Sequence, residues 1–62
     1  MSRYADLADR LDSIGAELDD VSFDVLQQAV ADGATSRPAA DRTLTQARRA
    51  VEKAAALLRE LG

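Results

Sequence analysis

The stretch YADLADRLDSIGAELDDVSFDV, residues 4–25, decides the fold of this chain. Its apolar side chains alternate spacings of three and four residues, which is the pattern of the seam of an amphipathic helix. We therefore expect one long helix in the first half of the chain. The seam residues are Tyr4, Leu7, Leu11, Ile14, Leu18, Val21 and Val25.

A second seam with the same spacing runs through the other half of the chain. If the chain folds back between the two seams, facing residues have position numbers that sum to a constant. The facing pairs sum to 68 or 69 in all six layers, as Leu18 does with Val51. The pattern predicts an all-α fold, an antiparallel two-helix hairpin that resembles a coiled coil. The second seam consists of Leu44, Ala47, Val51, Ala54, Leu58 and Leu61.

The ends of the helices follow from local chemistry. Ser2 is a good N-cap for a first helix over about residues 2–32. Gly33 can adopt the left-handed conformation that ends a helix, so residues 33–36 are predicted to form the turn. We therefore expect one domain, residues 1–62, in which the two helices are joined by a short turn.

The start of the second helix and one internal weak point need separate interpretation. Ser36 is the expected cap of a helix over about residues 37–61, with Pro38 in its first turn. The run Asp20 to Ser22 contains poor helix formers and could hold a break, which would give a three-helix arrangement. We expect the first helix to continue, because an inserted turn would shift the pairing sum.

Stability is the main constraint on a chain of 62 residues. A two-helix hairpin of this size buries too little apolar area to offset its conformational entropy by a wide margin. The sequence contains no cysteine and no histidine, which excludes disulfides and the usual zinc ligands. Oligomerisation is the remaining way for so small a chain to gain stability, so we expect a homodimer that forms a four-helix bundle.

The predicted interface lies on a flank that the hairpin seam does not use. Small residues at seven-residue spacing would let another helix approach closely, and an apolar stripe near the turn would otherwise face water. The predicted interface residues are Phe23, Leu26, Val30, Ala8, Gly15 and Ala29.

Charge is divided between the two halves of the chain. Residues 1–32 carry two basic and eight acidic side chains, a net charge of −6, whereas residues 33–62 carry six basic and three acidic ones, a net charge of +3. The halves attract each other. We expect a diffuse attraction and no ladder of ion pairs, because the charged heptad flank of the first helix faces uncharged residues of the second.

Candidate chemistry is sparse. The cluster Asp19, Asp20 and Asp24 is read as a solvated acidic face and not as a metal site, because no loop converges further oxygens on it. The serine and threonine hydroxyls have no histidine or cysteine beside them, and no glycine-rich loop could hold a phosphate. We therefore expect no enzyme activity and no cofactor.

Five basic residues of the second half support an alternative, a small accessory or regulatory subunit of a nucleic-acid-acting enzyme. They lie on opposite borders of the helix, and the chain has a net charge of −3 and an isoelectric point near 4.6. Nucleic acid is therefore not the favoured partner. The residues are Arg42, Arg48, Arg49, Lys53 and Arg59.

The favoured hypothesis is a non-enzymatic oligomerisation or protein-interaction module, which could also serve as the small partner of a larger protein. No secretory signal and no membrane-spanning stretch is recognisable, so we expect a cytoplasmic location and no membrane association. The alanine- and arginine-rich composition is typical of a bacterial coding sequence. The sequence closely resembles no known family.

Overall fold

The computed structural model describes residues 2–36 and 38–62 of the chain. These residues form two helices, α1 over Arg3–Ala31 and α2 over Ala39–Leu61, which pack against each other. No strand is present in the described part of the chain. The predicted all-α two-helix hairpin is therefore confirmed.

The start of α1 is as expected from its sequence. Ser2 has extended backbone angles, and its hydroxyl oxygen accepts hydrogen bonds from the backbone N–H groups of Tyr4 and Ala5, at 3.2 Å and 3.4 Å. These bonds satisfy two of the N–H groups that a helix leaves free at its first turn. The helix then continues through Asp20 and Ser22 without a break, so the three-helix alternative is wrong.

A glycine ends α1, as the sequence predicts. Gly33 has a φ of +85°, and its N–H donates to the carbonyl oxygen of Val30. The N–H of Ala34 donates to the carbonyl oxygen of Ala29 at 2.9 Å. This pair of bonds is the Schellman arrangement, which satisfies carbonyl groups at the end of a helix.

Gly33 gives the first testable prediction. A β-carbon at this position would meet no atom within 4 Å, so the cost of a substitution comes from the left-handed backbone alone. We expect Gly33→Ala to lower the free energy of unfolding by about 1 kcal/mol. Gly33→Asn should cost less, because asparagine tolerates this conformation. Urea denaturation measures both, and equal losses would contradict the backbone explanation.

The start of α2 differs from the prediction. The cap is Pro38, with φ −61° and ψ 151°, and no side chain caps the helix. Ser36 is therefore not the cap, and the helix begins at Ala39. The extended ψ of Pro38 puts the proline outside the helix, while its carbonyl oxygen still accepts a hydrogen bond from the N–H of Asp41. The predicted helical position of residue 37 lies outside the described residues.

The hairpin is long, thin and antiparallel. Its principal extents are 48 × 15 × 8 Å, and its radius of gyration is 14.7 Å, against about 11 Å for a compact domain of this length. A β-carbon added to Gly62 would lie 2.8 Å from the hydroxyl oxygen of Ser2, so the end of α2 returns to the start of α1. Leu11 and Leu58 line one cleft, in agreement with the predicted register.

Candidate interaction surfaces

The seam between the helices is built on small residues. Ala8 and Ala55 are the buried apolar residues of the described chain, with 0% and 2% of their surface exposed, and Gly15 is also buried. No large side chain among the described residues is fully buried. The two helices therefore approach each other most closely along the small residues of α1.

This seam requires a correction to the predicted interface. Ala8 and Gly15 were expected on a free flank that a second chain would cover, but both lie against α2 of the same chain. Small side chains permit the closest approach of two helix axes, so the hairpin itself uses this flank. Ala29 is half-buried near the turn.

Compared with the predicted orientation, α1 is rotated about its axis, and part of the predicted seam is therefore exposed to water. Leu7, Ile14 and Val21 are 36%, 44% and 47% exposed. Each was expected to face α2, and each instead lies at the border of the contact, because the helix has turned toward its small residues. Leu11 and Leu18 are half-buried and remain in the seam.

Two arginines of α2 bridge the helices on one side of the hairpin. The side chain of Arg48 lies across Gly15, in the space that a β-carbon would occupy, and its Nε donates to Asp19 Oδ1 at 3.1 Å. The Nη2 atom of Arg48 lies 3.6 Å from Glu52 Oε1, one helical turn away. The glycine thus gives the guanidinium a place between the helices.

Arg59 forms the second bridge. Its Nη2 donates to Asp9 Oδ1 at 2.9 Å and to Asp12 Oδ2 at 2.5 Å. The hydrogen bonds to Asp12 and then to Asp9 raise the pKa of Arg59, although the group is exposed to water. The expectation of a purely diffuse attraction is therefore wrong, because Arg48 and Arg59 each pair with carboxylates of α1. We call the side that carries these pairs the ion-paired face; its residues are Asp9, Asp12, Asp19, Arg48 and Arg59.

The opposite side of the hairpin carries exposed aliphatic residues. At 100° per residue, the exposed leucines of α2 lie on the border of that helix away from Arg48. Leu57 and Leu61 are 50% and 65% exposed. Because the ion pairs hold the other borders of both helices together, these leucines and the exposed residues of α1 share one side. We call it the apolar face; its residues are Leu7, Ile14, Val21, Leu57 and Leu61.

A second exposed apolar region lies near the turn, away from the apolar face. Phe23, Leu26 and Val30 line a shallow, open groove along the outer side of α1. Phe23 is 60% exposed and Val30 is 73% exposed, while Leu26 is half-buried. The structure therefore brings these three predicted interface residues together and separates them from Ala8 and Gly15.

The remaining candidate residues lie on the surface. Asp19 pairs with Arg48, and no three acidic side chains in the described residues are grouped closely enough to hold a metal ion. Two of the five basic residues, Arg48 and Arg59, are paired with carboxylates of the same chain. Neither described helix combines the length and the apolarity needed to cross a membrane.

Comparisons with known proteins add no further information about this chain. No family model matches it, and comparisons with curated proteins and with solved structures gave no match.

Proposed function

We propose that this chain is a non-enzymatic oligomerisation module whose homodimer is a four-helix bundle. One observation carries the proposal: the hairpin exposes 4818 Å², whereas a compact protein of 6.6 kDa exposes about 3,900 Å². The excess of roughly 900 Å² is about the area that each partner buries in a standard protein–protein interface.

The seam of the hairpin supports the same proposal. A helix pair whose buried apolar residues are Ala8 and Ala55 gains little from the hydrophobic effect, since alanine buries a single methyl group. The leucines of the seam, such as Leu11 and Leu18, are only half-buried, and the large aliphatic side chains of the apolar face are half-exposed. A second chain would bury them without any change in the hairpin.

The alternative of an accessory subunit for a nucleic-acid enzyme receives less support. Arg48 and Arg59, which would contribute to a phosphate-binding surface, already neutralise carboxylates of α1. The chain as a whole repels phosphate at its net charge of −3. We propose a bacterial cytoplasmic protein, in keeping with its alanine- and arginine-rich composition, and a larger protein could bind the groove of Phe23, Leu26 and Val30.

Sedimentation equilibrium and thermal melting test the proposal. We expect a species of about 13 kDa, twice the 6.6 kDa of one chain. Because dissociation accompanies unfolding, the melting temperature should rise by roughly 10 °C over a hundredfold increase in protein concentration. A folded monomer with a constant melting temperature would overturn the homodimer, and strong salt-dependent retention on heparin would favour the alternative.

A further inference from the structure

We propose that the second copy docks on the apolar face with α1 antiparallel to α1 of its partner, about a two-fold axis that passes beside Ile14. This inference rests on the proposed homodimer and specifies its geometry. The α2 helices then also lie antiparallel to each other, on the second row of a four-helix bundle. Three features of the chain are self-complementary about this axis.

The first feature is a row of charges along the outer edge of the apolar face. The row has seven-residue spacing, and each of its first three members lies four residues before Leu7, Ile14 or Val21. All four side chains are exposed, and none forms an ion pair within residues 2–36 and 38–62. The row consists of Arg3, Arg10, Glu17 and Asp24.

The sign of this row reverses at its midpoint, between Arg10 and Glu17. A two-fold axis there places Arg3 opposite Asp24 of the second copy and Arg10 opposite Glu17 of the second copy. Each pair of position numbers sums to 27, so one axis serves both pairs. By symmetry the dimer contains four such pairs, which favour this arrangement over others in the same way as charges at the edges of coiled coils.

The second feature is the apolar row of α1, whose centre at Ile14 lies half a residue from the centre of the charged row. Ile14 lies opposite its own copy, and Leu7 lies opposite Val21 of the second copy, because their position numbers sum to 28. An isologous interface requires this kind of self-matching pattern. These three residues are half-exposed in the hairpin and become covered in the dimer.

The third feature is the distribution of large and small apolar side chains along α2. Ala54 is level with Ile14 in the hairpin register, so the same axis passes beside it. Leu57 and Leu61 lie on one side of this level, and alanines lie on the other. The axis places Leu57 opposite Ala50 of the second copy and Leu61 opposite Ala47 of the second copy. A large side chain thus meets a small one in both layers.

Charge decides against the other face-to-face arrangement, in which α1 of one copy lies over α2 of the second. That arrangement would place the charged row along the outer border of α2, beside Leu57. This border carries Gln46, Lys53 and Glu60 at the same seven-residue spacing, so it offers two charges to the four members of the row. The antiparallel pairing of like helices is the arrangement that gives all four members an oppositely charged partner.

Two charge-reversal variants test this geometry. The acidic-edge variant carries Arg3→Glu and Arg10→Glu, and the basic-edge variant carries Glu17→Arg and Asp24→Arg. Each one alone places like charges opposite each other in all four pairs, so we expect its dimer dissociation constant, measured by sedimentation at low salt, to rise at least about 30-fold. An equimolar mixture restores opposite charges and should form heterodimers almost exclusively, detectable by native mass spectrometry.

The mixture keeps the test decisive if either variant alone fails to fold, because heterodimer formation would then restore the folded state. The matched control carries Arg42→Glu and Arg49→Glu, with the same change in net charge on the outer side of α2. The dissociation constant of its dimer should stay within about threefold of the parent value. In a mixture with the basic-edge variant, it should form homodimers and heterodimers at random.

The outcomes separate this geometry from the proposed function. A dimeric parent whose variants dimerise normally and mix at random would overturn the geometry and leave the homodimer standing. A mixture that stays monomeric, while the control dimerises, would also overturn the geometry. A folded monomeric parent would overturn both.

Discussion

Replacing Ala8 with leucine is expected to lower the free energy of unfolding by about 1–3 kcal/mol. Ala8 is fully buried against α2 in the seam of small residues, so the added atoms have no space unless the helices separate or rotate. In a chain of this size, 2 kcal/mol corresponds to a fall in melting temperature of roughly 8–16 °C. Thermal melts at fixed protein concentration, followed by circular dichroism, measure the change.

The control for this substitution is Ala16→Leu on the same helix. Ala16 is exposed, and alanine and leucine have similar helix propensities, so the control should change the melting temperature by only a few degrees. If Ala8→Leu were tolerated as well as Ala16→Leu, the seam would not depend on close approach at small residues. The orientation of α1 toward its small flank would then be wrong.

The ends of the helices were largely predictable because each depends on a few neighbouring residues. Ser2 caps α1 with its own hydroxyl, and Gly33 ends α1 because it takes a positive φ at no steric cost. Local chemistry was insufficient at Pro38, which could occupy either the cap or the first turn. The structure places it at the cap, with an extended ψ.

The rotation of α1 could not be predicted from the apolar pattern. A seam through Leu7 and Ile14 and a seam through Ala8 and Gly15 differ by less than half a helical turn, and hydrophobicity favours the first. The structure adopts the second, because glycine and alanine let the helices approach and leave room for Arg48 to cross Gly15 and reach Asp19. The orientation of α1 depends on the volumes of its side chains, and a periodic pattern of apolar residues does not encode side-chain volume.

The same rotation explains why the apolar face was not identified from the sequence. The apolar pattern predicts Ile14 and Leu61 in the interior of the hairpin, which leaves Phe23 and Val30 near the turn as the predicted docking surface. That segment is exposed as expected, and its role in binding stays a prediction. The apolar face is longer, and the charges along its edge are self-complementary.

The largest effect on assembly is expected from Ile14→Glu. In the proposed dimer Ile14 meets its own copy at the two-fold axis, so the substitution buries two carboxylates beside each other without partners. Burying unpaired charges costs several kcal/mol, and we expect the dissociation constant to rise more than 100-fold. The hairpin itself should tolerate the change, because Ile14 is 44% exposed in it and glutamate is a good helix former.

Val30→Glu is the matched control, since it introduces the same charge at a β-branched residue of α1 that is 73% exposed. If the apolar face forms the interface, sedimentation should show monomers for Ile14→Glu and dimers for Val30→Glu. The reverse result would place the interface on the groove of Phe23, Leu26 and Val30 and would contradict the two-fold axis at Ile14. Residual helicity, measured at the same concentrations, distinguishes a dissociated hairpin from an unfolded chain.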